Sequence, residues 1–231
     1  SRTIKDGRVI SLIHKYLNAG VISRGVFEKT ETGTPQGGPL SPLLSNVMLN
    51  ELDRELTRRG HRFVRYADDC MIFCKSRKSA ERTLKNIIPF IEGKLFLKVN
   101  RKKTGVEHIS KVKYLGYAFY RYKGKCKFRV HPKSVAKMKD KIREMTKRNN
   151  GWGNEYRAMK LTQFVRGWVN YFSLADMKGL LRETDEWLRH KIRTIYWKQW
   201  KKVKTKFREL KRLGVEEEKA WICANMRNGN W

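Results

Sequence analysis

Residues 63–74 read FVRYADDCMIFC, and this stretch decides the fold of the first part of the chain. Two short apolar runs, residues 63–67 and 70–74, flank the acidic pair Asp68 and Asp69. Apolar runs of this length on either side of a short polar break are typical of a β-hairpin. We therefore predict two antiparallel strands with Asp68 and Asp69 at their tip.

The adjacent carboxylates of Asp68 and Asp69 suggest a metal site. Two neighbouring carboxylates between apolar strands repel each other and lose solvation, so both stay ionised comfortably only beside a cation. Mg²⁺ is typically held by one or two carboxylates together with substrate phosphates. At this tip it would serve phosphoryl transfer, because it activates a hydroxyl nucleophile and neutralises a leaving pyrophosphate. The alternative from the same residues is an ordinary exposed turn.

The stretches on both sides of the hairpin combine helices and strands. Helical periodicity predicts helices over residues 8–19 and 79–96, and a further helix begins with Ser41 as its N-cap. Residues 112–120 and 127–130 have strand patterns. We therefore expect an α+β fold with antiparallel pairing in this part of the chain.

The last hundred residues differ in composition from the first part. All seven tryptophans lie beyond residue 150, and the apolar spacing after Lys133 is almost wholly helical. Proline discourages continuation of a helix through the residue before it, so we place a domain border at His131 and Pro132. The predicted domains are residues 1–131 and a helical domain of residues 132–231.

Charge indicates a polyanionic partner. The 231 residues include 53 Lys and Arg against 22 Asp and Glu, a formal net charge of +31. The excess is spread over both predicted domains, so it belongs to the folded body. Nucleic acid is the leading partner, because each phosphate that is neutralised releases counterions. An anionic membrane surface is the alternative.

The densest cluster of positive charge lies on predicted helices near the C-terminus. A run of one sign over two turns repels itself without an anionic partner, so we predict nucleic-acid contact there. The alternative is a solvated helix face. The candidate RNA-binding residues are Lys198, Lys201, Lys202, Lys204, Lys206, Arg208, Lys211 and Arg212.

Neither a zinc site nor a membrane span is expected. The four cysteines show no C-x-x-C spacing, and Cys70 and Cys74 are interpreted as small buried side chains. No apolar run approaches the roughly 18 residues that cross a bilayer, and the N-terminus has no apolar stretch of a signal peptide. We expect a cytoplasmic protein.

Six short motifs follow one another along the chain. They are residues 34–42 (TPQGGPLSP), 66–69 (YADD), 97–104 (LKVNRKKT), 114–117 (YLGY), 165–172 (VRGWVNYF) and 197–200 (WKQW). In this order they resemble the motifs of reverse transcriptases of bacterial group II introns. The resemblance implies a partial right-hand polymerase palm, an antiparallel sheet with helices, followed by an α-helical thumb and maturase domain. It also implies an RNA-directed DNA polymerase that uses Mg²⁺ at Asp68 and Asp69.

The resemblance also implies roles for single residues. Leu115 and Gly116 resemble the primer grip, where a glycine lets the primer backbone approach; the alternative is a buried strand glycine. A cation at Lys103 could meet the triphosphate or could simply be solvated. The residues that resemble nucleotide-binding positions are Pro35, Gln36, Gly37, Gly38 and Lys103.

One motif of the family is missing. Reverse transcriptases carry another catalytic aspartate upstream of the glycine-rich loop, followed closely by two aromatic residues. Before Thr34 the only acidic residues are Asp6, Glu28 and Glu31, and Asp6 lacks the aromatic pair. We expect that the chain begins just after this motif, without fingers and part of the palm, and that alone it binds metal weakly and polymerises poorly or not at all.

Two functional hypotheses follow. In the first, the protein is a reverse transcriptase whose partners are group II intron RNA, an RNA template with a DNA primer, and dNTPs. In the second, it is a non-catalytic splicing maturase that binds folded intron RNA by charge and shape. An unrelated basic helical protein would explain the charge but not the ordered motifs.

Overall fold

The structure is a computed structural model that describes residues 4–23, 26–28 and 38–226. The helices and strands of these residues fall into two compact units, which divide between residues 106 and 107. The helices are α1 (Gly7–Asn18), α2 (Ser41–Arg58), α3 (Arg77–Gly93), α4 (Pro132–Met145), α5 (Asn154–Tyr171), α6 (Lys178–Gln199), α7 (Val203–Arg212) and α8 (Glu217–Asn225). The strands are β1 (Val21–Ser23), β2 (Val26–Glu28), β3 (Arg62–Tyr66), β4 (Asp69–Phe73), β5 (Lys113–Tyr114), β6 (Tyr117–Tyr122) and β7 (Lys125–Val130).

The first unit is built around the hairpin β3–β4. The strands pair antiparallel from Arg62 opposite Phe73 to Tyr66 opposite Asp69, as the sequence predicts. Alternate residues of a strand point to opposite faces. One face therefore presents Phe63 and its partner Ile72 to a core between α2 and α3. That core contains Leu49, Leu52, Leu56, Ile87 and Leu95.

The second unit places a three-stranded antiparallel sheet, β5–β6–β7, against helices. Its core joins Val130 at the end of β7, Phe172 just after α5, and Met177 just before α6. Trp168 packs on Phe172 with ring centroids 4.7 Å apart. The sheet therefore packs with the helices that follow it. The domain border at 131/132 stays a prediction. The division into compact units, which reflects contacts within the chain, falls between residues 106 and 107.

The α+β class is confirmed in its coarse form, and three local predictions need correction. The described strands form separate small sheets of two, two and three strands rather than one palm sheet. The strand predicted over residues 112–120 is divided by a turn at Leu115 and Gly116. Ser41 is the first residue of α2 and Leu40 is the N-cap, so Pro42 lies one position further into the first turn, where its missing N–H still costs no helical bond.

Cys70 also differs from expectation. It lies on β4 opposite Arg65, on the same strand face as Ile72 but closer to the hairpin turn, and it is exposed there; Cys74 is partly buried. Local desolvation of the Cys70 thiol, followed by the negative charge of Asp53, raises its pKa to about 11. The thiol is therefore protonated at neutral pH.

Candidate functional site

The acidic pair lies at the tip of the hairpin. Tyr66 pairs with Asp69, so Ala67 and Asp68 form a two-residue turn. Asp68 and Asp69 are both exposed. Ala67 has a φ of 52°, in the left-handed region that costs a non-glycine residue about 1–2 kcal/mol. The tip is therefore strained and needs support from outside the turn.

Arg65 supplies that support. Its guanidinium donates from Nη1 to the carbonyl of Ala67 at 2.9 Å and to Oδ1 of Asn46 at 2.8 Å. On its other side it forms a bidentate pair with Asp53, from Nε to Oδ1 at 2.8 Å and from Nη2 to Oδ2 at 2.5 Å. Asn46 and Asp53 both belong to α2. One side chain thus ties the acidic turn to a core helix.

These contacts were not foreseen from the sequence. Arg65 lies 12 residues from Asp53 and 19 from Asn46, and only the packing of β3 on α2 brings them together. The one signal available beforehand was an arginine two residues before the turn. Its side chain is 13% exposed and that of Asp53 is 25% exposed, so solvent screens the pair less than a surface ion pair.

The donor set at the tip suits a hard divalent cation. Two exposed carboxylates leave coordination positions for water and phosphate oxygens, which Mg²⁺ retains in proteins. Asp53 is the carboxylate of α2 in this network, and each of its oxygens accepts a hydrogen bond from Arg65. Within the described part of the chain, no three His, Cys, Asp or Glu side chains cluster as a metal site.

The predicted nucleotide-binding residues are only partly described. Pro35, Gln36 and Gly37 lie outside the described residues. Gly38 is partly buried, and its carbonyl accepts the N–H of Ser41 at 3.2 Å at the start of α2. Lys103 is exposed in a turn organised by Asn100, whose carbonyl accepts the backbone N–H of Lys103 at 3.1 Å. Its ammonium group makes no ion pair within the residues described.

The turn at Leu115 and Gly116 belongs to the second unit. Both residues have positive φ, 49° and 84°, as a type I′ hairpin turn requires. The carbonyl of Leu115 accepts the Tyr171 hydroxyl at 3.0 Å, and that of Gly116 accepts the Ser134 hydroxyl at 3.1 Å. Helices α4 and α5 therefore hold the turn in a single conformation.

The structure gives a reason for glycine at position 116 within the chain itself. A Cβ added there would lie 2.9 Å from Cζ of Phe172 and 3.2 Å from the Ser134 hydroxyl oxygen. Phe172 is buried, so its ring has little room to move. Close packing and positive φ together demand glycine, whether or not a primer approaches. Sequence reasoning missed Ser134 and Phe172, since neither belongs to a motif near position 116.

The predicted basic face is confined to the second unit, and its cations differ in availability. Arg208 and Arg212 both pair with Glu209, and Lys211 pairs with Glu217 at 2.8 Å. Lys206 lies over the ring of Trp197, 5.0 Å from its centroid. The remaining four cations make no ion pair among the described residues and are exposed. They are Lys198, Lys201, Lys202 and Lys204.

A cavity of about 360 Å³ lies along α7 on this basic face. Its lining combines lysine and arginine side chains with Phe207, which packs edge-on against Trp221 at 5.7 Å between centroids. The sequence did not indicate that Glu217, from the next helix, neutralises Lys211.

Among the residues that the structure describes, no helix is both long and apolar enough to span a bilayer.

Comparison with known proteins identifies two domains in order. Residues 2–119 match the family model described as reverse transcriptase (RNA-dependent DNA polymerase). Residues 135–214 match the model described as group II intron, maturase-specific domain. The two matches follow each other along the chain, on either side of the border predicted at 131/132.

Individual relatives agree with these matches. Protein YkfC of Escherichia coli K12 is 32% identical over 143 residues, covering 47% of this chain and 38% of the relative. The group II intron-encoded protein LtrA of Lactococcus lactis subsp. cremoris is 27% identical over 267 aligned residues, covering 75% of this chain and 45% of the relative. The chain thus spans less than half the length of these relatives. It belongs to the reverse transcriptase (RNA-dependent DNA polymerase) family, and within that family it carries the maturase-specific domain of group II intron proteins.

Proposed function

We propose that this chain is part of a group II intron reverse transcriptase that copies an RNA template from a DNA primer and also acts as a maturase on its intron RNA. The observation that carries the proposal is the exposed Asp68 and Asp69 turn, braced by Arg65, within the part that matches the reverse transcriptase family. The matched maturase-specific domain supports the second role. The cytoplasm, where bacterial RNA and dNTPs are found, is the proposed site of action.

Asp68 and Asp69 are the proposed Mg²⁺ ligands. When bound there, Mg²⁺ would activate the primer hydroxyl and neutralise the pyrophosphate that leaves. Arg65 keeps the turn in place and keeps Asp53 occupied, so the two exposed carboxylates are the ones offered to substrate. The chemistry therefore requires a fixed position of the turn, since a displacement of about 1 Å can cost about 10²-fold in rate.

The remaining roles divide between nucleotide and primer. Pro35, Gln36, Gly37 and Gly38 are the proposed nucleotide-binding loop, and the Lys103 ammonium is proposed to meet the triphosphate.

Leu115 and Gly116 are proposed to hold the primer end. Their turn is rigid, because α4 and α5 bind both of its carbonyls. A rigid turn can present backbone to a nucleic-acid strand without a loss of conformational entropy on binding.

The exposed cations of α7 and the segment before it are the proposed RNA-binding face. Lys198, Lys201, Lys202 and Lys204 are its most available members, because the described residues give them no carboxylate partner. Attraction between these ammonium groups and RNA phosphates would hold the intron or the template–primer duplex. Arg208, Lys211 and Arg212 would have to exchange existing ion pairs for phosphates.

A non-catalytic splicing maturase is the alternative, and one observation favours it. The carboxylate on α2 that lies behind the turn, Asp53, is held by Arg65 on both its oxygens. Two-metal polymerisation needs carboxylates from more than one element. With Asp53 held in this way, the described hairpin offers Asp68 and Asp69 alone.

Primer extension distinguishes the two functions. The polypeptide that contains this chain is assayed on an RNA template with a DNA primer, dNTPs and Mg²⁺. Asp68→Asn should reduce extension by about 10²-fold or more, because metal-based charge stabilisation is worth several kcal/mol. Asp185→Asn is the control; Asp185 forms an exposed helical pair with Arg189 in the second unit and should leave the rate unchanged.

Extension that persists in Asp68→Asn would refute the assignment of this residue. If the unsubstituted protein binds intron RNA and promotes splicing without Asp68-dependent extension, the maturase alternative is correct.

A further inference from the structure

A second basic site lies elsewhere in the maturase unit, away from α7. A cavity of about 370 Å³ opens between the C-terminal end of α4, the segment that follows it, and α6. Four cations and two threonines line it, and no carboxylate is among the lining residues. The lining residues are Arg143, Thr146, Lys147, Arg148, Lys191 and Thr194.

Three of the four cations are available to a ligand. Lys147, Arg148 and Lys191 form no ion pair within the described part of the chain, while Arg143 binds Asp140 at 2.5 Å. The neighbouring carboxylate, Glu144, already accepts a hydrogen bond from Lys141 at 2.9 Å. The cations that line this cavity repel one another, so the binding of an anion there is favourable.

The ring of Trp187 on α6 aligns two of these side chains. The Arg143 guanidinium lies 5.6 Å from the ring centroid, and the Lys191 ammonium lies 5.9 Å from it. A cation over an aromatic face is attracted by the ring quadrupole. Trp187 therefore holds positive charge from α4 and from α6 on the same side of the unit.

A buried arginine fixes the segment that carries Lys147 and Arg148. Arg157 on α5 is 5% exposed. The hydrogen bonds that its guanidinium donates all go to neutral oxygen atoms. It donates to the carbonyl of Met145 at 3.2 Å, to Asn150 at 2.8 Å and to Asn154 at 3.1 Å. Asn150 closes the network by donating to the same Met145 carbonyl at 3.0 Å.

This network orders the segment before any ligand arrives. A buried charge is costly unless its hydrogen bonds are satisfied, and here the carbonyl end of α4 and two amide oxygens satisfy them. The backbone after α4 is therefore fixed at both sides of Lys147 and Arg148. A prearranged cation cluster loses less entropy on binding than one on a loose loop.

We infer that this α4–α6 cavity binds phosphates of an RNA backbone, as a contact separate from the α7 face. The inference rests on the proposal that the chain binds RNA, but not on polymerase activity. Cations from two helices and the connecting segment can neutralise adjacent phosphates of one strand, and the partly exposed Thr194 hydroxyl can accept from a ribose 2′-OH. A net charge of +31 makes a polyanion the fitting ligand.

The test is RNA binding by the chain, measured by fluorescence anisotropy of a labelled single-stranded RNA over a range of KCl concentrations. The variant is Lys147→Ala, Arg148→Ala and Lys191→Ala. The control is Lys78→Ala, Arg82→Ala and Lys85→Ala, which removes the same residue types from exposed positions of α3. Circular dichroism verifies that both variants fold.

The cavity variant should weaken binding about tenfold or more near 0.1 M KCl, and should reduce the slope of log K against log salt by about 2. The control should change the dissociation constant less than twofold. RNA should also protect Lys147 and Lys191 from acetylation, while Lys78 and Lys85 remain reactive.

Equal losses in the two variants, or an unchanged salt slope in the cavity variant, would overturn the inference. Replacing Lys201, Lys202 and Lys204 by Glu distinguishes a failure of this inference from a failure of the proposed function. If that change weakens binding and the cavity variant does not, the α7 face binds RNA and the cavity does not. If the unsubstituted chain does not bind RNA at all, the proposed function itself fails.

Discussion

Replacing Gly116 by Ala tests the packing of the Leu115–Gly116 turn on the helical core. Two costs add at this position. A φ of 84° costs an alanine about 1–2 kcal/mol relative to glycine. The new Cβ would also lie 2.9 Å from the Phe172 ring, and moving a buried ring costs about 1–3 kcal/mol. We therefore expect a loss of about 2–5 kcal/mol in the free energy of unfolding.

The chain contains a matched control for the backbone cost. Gly124 lies in the turn between β6 and β7, with a φ of 76°, and a Cβ there would meet nothing within 4 Å. Lys123 before it has a φ of 48°, so this turn has the same geometry as the one at Leu115 and Gly116. Gly124→Ala should therefore lower the free energy of unfolding by the backbone cost alone, about 1–2 kcal/mol.

Urea unfolding followed by tryptophan fluorescence measures the difference. All seven tryptophans belong to the second unit, and Trp168 packs on Phe172 itself. With a denaturant dependence of about 2 kcal/mol/M, the midpoint of Gly116→Ala should lie about 0.5–1.5 M below that of Gly124→Ala. If the two midpoints agree within about 0.2 M, Phe172 does not constrain position 116 and the reasoning is refuted.

Two further predictions concern the acidic turn and the start of α4. Arg65→Lys should lower the free energy of unfolding by about 1–2 kcal/mol and speed hydrogen exchange across β3–β4, because lysine cannot form the two-pronged bond to Asp53 together with the bond to the Ala67 carbonyl. A coupling energy below about 0.5 kcal/mol in a double-mutant cycle with Asp53→Asn would contradict this prediction. Burial, then the charges of Lys113, Lys133 and Arg129, lowers the pKa of His131. The unfolded chain therefore binds the proton more readily, so the unfolding free energy of the second unit should be fully present above pH 7 and decrease as the pH falls through the unfolded pKa of about 6.5. His131→Asn keeps a side chain that can cap the Lys133 N–H and should remove this part of the pH dependence; an identical pH profile in that variant would show that His131 is not the group responsible.

The sequence predicted the local elements because each follows from a short pattern. The apolar runs around Asp68 and Asp69 fix a hairpin whichever helix covers it, and helical spacing beyond Lys133 fixes the helices of the maturase unit. The ordered motifs led to the family, and the family models match it. Boundaries deviated where a turn interrupted a pattern, as at Leu115 and Gly116.

Availability of charge at the candidate sites could not be predicted in this way. Asp53 looks like any helical acid in the sequence, yet in the structure Arg65 occupies both its oxygens. Lys211 lies in the same basic run as Lys202, but only Lys211 pairs with a carboxylate from the next helix. Such pairings depend on which helices face each other.

The sequence by itself determined the strand and helix pattern, the acidic turn and the excess of positive charge, because these are properties of composition and of residues close in the chain. Only the tertiary structure decided that Arg65 braces the turn, that Phe172 demands glycine at position 116, and that Arg157 orders a second cation cluster. These contacts depend on different elements packing together. They include pairs 7 positions apart, as for Arg157 and Asn150, and 56 positions apart, as for Gly116 and Phe172. Their energies come from burial and from hydrogen bonds that form only after the chain has packed.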